Sequence, residues 1–122
     1  RVIAHVDLDC FYAQCEIVRL GLDPEQPMAV QQWDHLIAIS YSAKARGVRR
    51  GMRAREAQLV CPEIKLVHVE TIDANGQCRD GANRSNDKVS LERYRAASHR
   101  IFEVLKREAG EGNVEKGSID EA

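Results

Sequence analysis

Nothing in this sequence stays apolar for the roughly 20 residues that a membrane helix needs, and no signal-peptide pattern opens it. Its four cysteines, Cys10, Cys15, Cys61 and Cys78, form no Cys-x-x-Cys pair. Their spacing suits neither a zinc site nor a dense disulfide framework. Cys10 and Cys15 lie in an apolar stretch, where a free thiol behaves as a small hydrophobe. A reducing compartment, cytosol or nucleus, with no structural disulfide is therefore expected. No Walker A sequence and no Gly-x-Gly-x-x-Gly is present, so a P-loop or a Rossmann cofactor site is not supported. No internal repeat appears. Net charge is nearly absent as well: 18 Lys and Arg against 19 Asp and Glu leave −1. That balance argues against a basic nucleic-acid arm or a polybasic membrane patch, but it is silent on local fields.

What is present is a chain of 122 residues, 43% hydrophobic and 30% charged. That is enough apolar matter for a core, and about one domain by length. The chain opens on Arg1 rather than Met and stops at Ala122, so both ends read as cuts.

Val2 to Val6 is a short, β-branched apolar run that predicts a buried strand. Phe11 to Leu20 carries apolar residues at helical spacing and is stopped by Gly21 and Pro24. Two strands follow, 27–33 and 36–41, separated by Asp34-His35 as a hairpin. Residues 42–47 read as a short helix closed by Gly47. Arg53 to Val60 reads as another, ended by Cys61-Pro62. Ile64 to Val69 reads as a strand. Thr71 to Lys88 loses its apolar character, carries Asn75-Gly76 and Asp80-Gly81, and reads as a long flexible excursion. From Ser90, a cap, a helix presents Leu91, Tyr94, Ala97, Ile101, Val104 and Leu105 on one face and ends at Gly110. Val114 to Ile119 reads as a strand weakened by Gly117. The order supports an α+β fold with a mixed sheet.

Two acidic sites stand at predicted strand ends. Asp7 and Asp9 follow the first strand, two apart and so on one face of an extended chain. Ile119-Asp120-Glu121 repeats the arrangement far along the chain. If the first and last strands lie side by side, Asp7, Asp120 and Glu121 converge. Clustered carboxylates repel and need a counter-charge. Mg²⁺ supplies one while keeping waters and substrate phosphates as further ligands. Two such ions suit phosphoryl transfer. Solvated strand termini fit the same spacing.

A cationic segment hides inside the neutral total. Lys44, Arg46, Arg49, Arg50, Arg53 and Arg55 place six cations in twelve residues with no acid between them. Arg forks suit phosphate oxygens, and Tyr41 adds a phenolic donor. A solvated helix-loop-helix face is the plainer reading. Phe11 reads as core. Tyr12 fits either core packing or a wall beneath the sugar of a nucleotide.

Three motifs in order carry a resemblance: Val6-Asp7-Leu8-Asp9-Cys10-Phe11-Tyr12, then Ile37 to Val48 containing Ser40-Tyr41-Ser42-Ala43-Lys44-Ala45-Arg46, then Ser118-Ile119-Asp120-Glu121-Ala122. Together they resemble the Y-family translesion DNA polymerases, and within them an eta-like branch of fungal type. Gln32 before Trp33, Arg50, and the Lys88 to Arg95 stretch after a long insertion carry the finer likeness. The resemblance implies a partial polymerase palm at 1–14 and 88–122. It implies a small fingers domain inserted at 15–87, with a flexible loop at about 71–88.

The resemblance also implies roles. Asp7, Asp120 and Glu121 match the metal-binding catalytic carboxylates, and the Leu8 carbonyl matches a backbone metal ligand. The implied cofactor is two Mg²⁺ ions, with Mn²⁺ as a substitute. Tyr12 matches the steric gate against ribonucleotides, while Asp9 matches an acid of structural role. Cys10 and Phe11 match positions whose amides touch the triphosphate, and Tyr41, Lys44 and Arg50 match side-chain contacts to the incoming nucleotide. Gln32 matches a template contact, and Ile37 and Ala38 match the roof over the nascent pair. Lys44 stands where the family usually has Arg, which turns a forked contact into a point charge. The implied partners are primer-template DNA and dNTP, with a sliding clamp reached only through downstream regions. The implied compartment is the nucleus. The chain on its own is expected to be inactive, because it does not clamp primer and template.

Two other readings compete. A haloacid-dehalogenase-type phosphatase also places Asp-x-Asp at a strand end, with Asp7 as nucleophile and Asp9 as general acid. Cys10-Phe11 departs from the small residue and Thr or Val which that family wants next. A non-catalytic nucleic-acid-binding module would use only the 44–55 cations.

Overall fold

The computed structural model describes residues 2–80 and 83–122. In chain order it contains α1 (Phe11–Leu20), β1 (Met28–Gln32), β2 (His35–Ile39), α2 (Tyr41–Ala45) and α3 (Ala54–Val60). Then follow β3 (Lys65–His68), β4 (Glu70–Ile72), β5 (Cys78–Asp80), β6 (Lys88–Val89), α4 (Glu92–Ala109) and a 3₁₀ turn at Glu111–Asn113. Helices and small mixed sheets together make the expected α+β architecture. Among the described residues no helix is long and apolar enough to cross a membrane.

The first sheet has the order β2-β1-β3, with β1 antiparallel to β2 and parallel to β3. Its central strand is buried on both faces. Met28 and Val30 enter one core with Phe11, Ala13, Ile17, Val67, Val69 and Tyr94. Ala29 points the other way, into a second core with Leu36, Ile39, Ala43, Val48 and Ala57. The period-2 alternation of a strand thus divides the molecule into two apolar layers. Full burial of a residue of the size of Leu36 or Met28 stabilises by about 1.5–3 kcal/mol.

α1 ends as expected. Gly21 takes φ 62, and Leu22 N–H closes on the Ile17 carbonyl at 3.0 Å. The hairpin forms, but its turn is Trp33-Asp34 and His35 already lies in β2. Trp33 sits at φ 53, a left-handed conformation unusual for so bulky a residue. It is held by its N–H to His68 Nε2 at 2.9 Å and by Gln31 Nε2 to its carbonyl at 2.6 Å.

Three expectations are corrected. Residues 2–6 form no buried strand: Val2 is 97% and Ile3 82% exposed. Their only backbone partner among the described residues is the segment at 122, too short a pairing to extend a ladder. Residues 114–119 form no strand either. Gly117 and Ser118 N–H groups turn back onto the Glu121 carbonyl, at 2.9 and 3.2 Å, in place of a neighbouring strand. The expected excursion at 71–88 instead contains an antiparallel sheet, β5-β4-β6. Asp73 Oδ1 folds its turn by accepting from Asn75 and Gln77 N–H groups. Arg79 grips buried Asp87 at 2.6 Å. The Arg79–Asp87 ion pair braces these very short strands, and Val89 packs against the first core.

α4 begins at Glu92 with Leu91 at its cap position, although the Ser90 hydroxyl still accepts from Glu92 N–H at 3.4 Å. Its buried stripe is Tyr94, Ser98 and Phe102. These are four apart, so Val104 falls outside the stripe and is 45% exposed.

A charged cluster lies between α1 and α4. Glu16 is fully buried. Its carboxylate accepts from Arg93 Nη1 at 2.9 Å, from the Tyr94 hydroxyl at 2.8 Å and from Arg19 Nε at 2.6 Å. Arg93 also reaches Glu70 on β4 at 2.9 Å. Removing one partner from such a cluster strands the others in low dielectric. Glu16→Ala is therefore expected to cost about 3–5 kcal/mol, read as a lowered urea midpoint. Glu16→Gln, which keeps an acceptor, should cost less.

Candidate active site

The two ends of the sequence meet here. Val6 N–H donates to the Ala122 carbonyl at 2.8 Å, Ala122 N–H to the Val6 carbonyl at 2.9 Å, and Leu8 N–H to the Asp120 carbonyl at 2.8 Å. Asp7 stands opposite Glu121 in an antiparallel bridge. The Ser98 hydroxyl on α4 donates to the Ile119 carbonyl and fixes the segment just before the acids. The expected adjacency of Asp7, Asp120 and Glu121 is thus present in the backbone.

The side chains are less gathered. The Ser118 hydroxyl donates to Asp120 Oδ1 at 2.8 Å and lies 3.4 Å from Glu121 Oε2. Glu121 Oε1 lies 4.0 Å from His5 Nε2. Among the described residues no three His, Cys, Asp or Glu side chains stand close enough together to hold a metal ion. The donor chemistry, carboxylate oxygens and a nearby backbone carbonyl, suits a hard divalent cation. The backbone has brought these donors together, and their side chains remain splayed.

Cys10 leads into α1 in a left-handed conformation, φ 49 and ψ 38, and no side chain caps the helix. The N–H groups of its first turn therefore have no side-chain acceptor. Tyr12 stacks on Tyr94, with ring centroids 4.2 Å apart and planes 10° from parallel. Burial pushes the Tyr12 phenol above its ordinary pKa, and the nearby Asp120 carboxylate pushes it the same way. Arg95 and Arg50 pull against them. Tyr12 therefore feels both the acidic edge and the cations.

On the other side of the α1 start, the Tyr41 hydroxyl donates to the Asp9 carboxylate. Tyr41 opens α2, which Ser40 pins to β1. The Ser40 hydroxyl accepts from Ala43 N–H at 3.2 Å and from Met28 N–H at 3.1 Å. Lys44 Nζ lies 5.3 Å from the Tyr41 ring centre. A cleft of about 330 Å³ runs between α1 and α2, lined in part by Cys10, Ala13, Gln14, Tyr41, Ser42 and Ala45. Ile37 and Ala38 are half-buried against the core that holds Phe11 and Tyr12. Gln32 closes β1 opposite His35, at the hairpin end. Arg50 is exposed on the segment between α2 and α3.

The chain matches the impB/mucB/samB family over residues 6–122. It belongs to that family, the Y-family polymerases that its motifs resemble. It is 44% identical to the N-acetyltransferase eso1 of Schizosaccharomyces pombe over 99% of its own length and 14% of that protein. It is 39% identical to DNA polymerase eta of Arabidopsis thaliana, over 99% of the chain and 16% of the relative. Against DNA polymerase eta of Saccharomyces cerevisiae it is 33% identical, over 98% of the chain and 21% of the relative. The chain thus spans about a fifth or less of these curated relatives. Membership sets aside the dehalogenase-type reading.

Ser118, Glu16, Arg93, Tyr94 and Arg95 act around the site without having been singled out as site residues. Glu16 carried a signal: it shares a helix face with Ala13 and Ile17, where an acid is out of place. Ser118 carried one too, two and three residues before the acids.

The Tyr41–Asp9 bond generates a titration test. Its acceptor is a carboxylate, so ionising the phenol would set two negative charges together. The Tyr41 pKa is accordingly pushed up to about 12 from an ordinary 10.0, by the Asp9 hydrogen bond first. The stability this contributes is fully present below pH 10 and is lost as pH rises through about 12. In an ultraviolet pH titration of the three tyrosines, Asp9→Asn should bring one transition back toward its ordinary value and leave the other two in place.

Proposed function

We propose that this chain forms the nucleotide-handling part of a translesion DNA polymerase, acting in the nucleus in damage bypass. The observation that carries the reading is the antiparallel pairing that sets Asp7 opposite Glu121 with Asp120 alongside. In this reading residues 1–14 and 88–122 belong to the palm, and 15–87 to the inserted fingers. The reaction joins the primer 3′-oxygen to the α-phosphorus of a dNTP, breaks the bond to the β-phosphate oxygen, and releases pyrophosphate and the hydroxyl proton. Primer-template DNA and dNTP are the partners. A sliding clamp would be met through other parts of the whole protein.

Asp7, Asp120, Glu121 and the Leu8 carbonyl would hold two Mg²⁺ ions, or Mn²⁺ in their place. Bound divalent cations would supply neutralising charge to the carboxylates and phosphate oxygens. Ser118, bonded to Asp120, orients that carboxylate. The uncapped N–H groups near Cys10 and Phe11 offer donors to phosphate oxygens. Tyr41 and Lys44 on α2, and Arg50 on the segment that follows it, supply a phenol and two cations for the triphosphate. Tyr12 presents its ring face toward the sugar. Ile37 and Ala38 roof the nascent pair with little bulk, leaving room for a damaged template base. Gln32 offers its amide to the template. Catalysis is chiefly positioning and charge stabilisation.

The test uses a polymerase carrying this sequence. Asp7→Ala should lower primer extension by about a hundredfold or more, the scale of losing one charge-stabilising group. The circular-dichroism spectrum should not change, because Asp7 is exposed. Full extension by that variant would overturn the reading. Tyr12→Ala should raise the ratio of ribonucleotide to deoxyribonucleotide insertion in the same assay.

A further inference from the structure

Two consecutive glutamines end β1, and their amides have different fates. Gln31 spends its amide inside the fold, where Nε2 donates to the Trp33 carbonyl at 2.6 Å. Gln32 is half-buried and lies opposite His35 across the hairpin. Among the described residues its amide group has no hydrogen-bond partner.

The ladder between β1 and β3 ends here, with Gln31 opposite His68 and Val69 N–H donating to the Gln31 carbonyl at 2.8 Å. The N–H of the Gln32–Trp33 peptide lies beyond that end. A side chain takes it instead: Trp33 N–H donates to His68 Nε2 at 2.9 Å. His68 Nδ1 lies 2.7 Å from the Val69 carbonyl. A carbonyl only accepts and an N–H only donates, so one neutral tautomer satisfies both contacts, with its proton on Nδ1. The imidazole is thus held at both nitrogens, and its ring centre lies 5.3 Å from that of Trp33. Trp33 itself sits at φ 53, a conformation that a bulky residue keeps only where its surroundings over-determine it. Here His68 holds its N–H and Gln31 its carbonyl.

The peptide unit is planar. Fixing the Trp33 N–H therefore also orients the Gln32 carbonyl and Cα, from which the Gln32 side chain departs. We propose that His68 is a positioning residue for Gln32: by holding the Gln32–Trp33 peptide beyond the end of the ladder, it aims the unspent Gln32 amide at the template base. The inference rests on the reading of Gln32 as a template contact.

The test uses a polymerase carrying this sequence, with His68→Phe, His68→Gln and Gln32→Ala. Phe keeps a ring against Trp33 but offers no acceptor. Gln restores an acceptor oxygen, as many bonds from Cβ as Nε2 is. In hydrogen exchange without DNA, metal or nucleotide, the peptide containing the Trp33 amide should exchange about three- to tenfold faster in His68→Phe, the scale of losing one hydrogen bond. His68→Gln should return it toward the parent rate. In single-nucleotide insertion, His68→Phe should lower kcat/KM by about as much as Gln32→Ala does. The double variant should lose no more than Gln32→Ala alone, because residues acting through one contact are not additive. His68→Gln should recover most of the loss. Unchanged exchange or unchanged insertion in His68→Phe would overturn the proposal. So would losses that multiply in the double variant, as a merely structural role requires. No effect of Gln32→Ala would overturn the template contact on which the inference rests. The exchange is read with no substrate bound, so its failure is distinct from full extension by Asp7→Ala.

Discussion

The buried carboxylate of Glu16 is the constraint on which the arrangement turns. An acid without exposed surface stays ionised only where opposite charge and hydrogen bonds meet it. Arg93 comes from α4, Arg19 from α1 itself, and the Tyr94 hydroxyl shares a Glu16 oxygen with Arg93. Since Arg93 also reaches Glu70, one guanidinium ties α1, α4 and β4 together. Apolar surfaces alone would press these elements together without fixing their register. The charge cluster fixes it. Tyr94, held by its hydroxyl, offers its ring to Tyr12. α4, held in place, delivers Ser98 to the Ile119 carbonyl and so positions Asp120 and Glu121. The carboxylates at the two ends of the sequence depend on a cluster that contains none of them.

Most of the regular structure was legible because its signals are local. α1 has a 3.6-residue apolar period and a glycine stop, α3 ends where Cys61-Pro62 forbids continuation, and the 28–39 hairpin alternates around a two-residue turn. The sheet at 70–89 was not legible. Its strands run only two or three residues, and the Arg79–Asp87 pair that closes it links positions eight apart across a turn. The runs at 2–6 and 114–119 misled for the opposite reason. Their β-branched residues suit a strand, but a ladder needs neighbours, and among the described residues the pairing is confined to 6–8 and 120–122. The pairing of Asp7 with Glu121 was foreshadowed by the repeat of an apolar run followed by acids. The Tyr41–Asp9 bond was not, since it spans 32 positions with no pattern to announce it.

The near-zero net charge dissolves into two fields that meet at the tyrosines. Carboxylates occupy the edge formed by residues 7, 120 and 121, and guanidinium groups line 49–55. Tyr12 stands where they overlap, its phenol pushed up by Asp120 and drawn down by Arg95 and Arg50. Tyr41 stands between Asp9, which accepts its hydrogen bond, and Lys44, which lies by its ring. In the reading proposed above, such a border suits a phosphate ester. Its non-bridging oxygens call for cations, and carboxylates suit a hard divalent cation.

The acidic edge also shows where preorganisation resides. Three like charges brought within a few ångströms repel one another unless a counter-charge offsets them. Each carboxylate therefore gains by leaning on a local partner, as Asp120 leans on Ser118 and Glu121 toward His5. The backbone, however, is already committed. Three hydrogen bonds of 2.8–2.9 Å hold 6–8 against 120–122. Rotation about side-chain bonds is fast, while rearranging paired backbone is slow and costly. The fold thus fixes the pairing of 6–8 with 120–122 in the backbone, while Asp120 and Glu121 take their side-chain partners from Ser118 and His5.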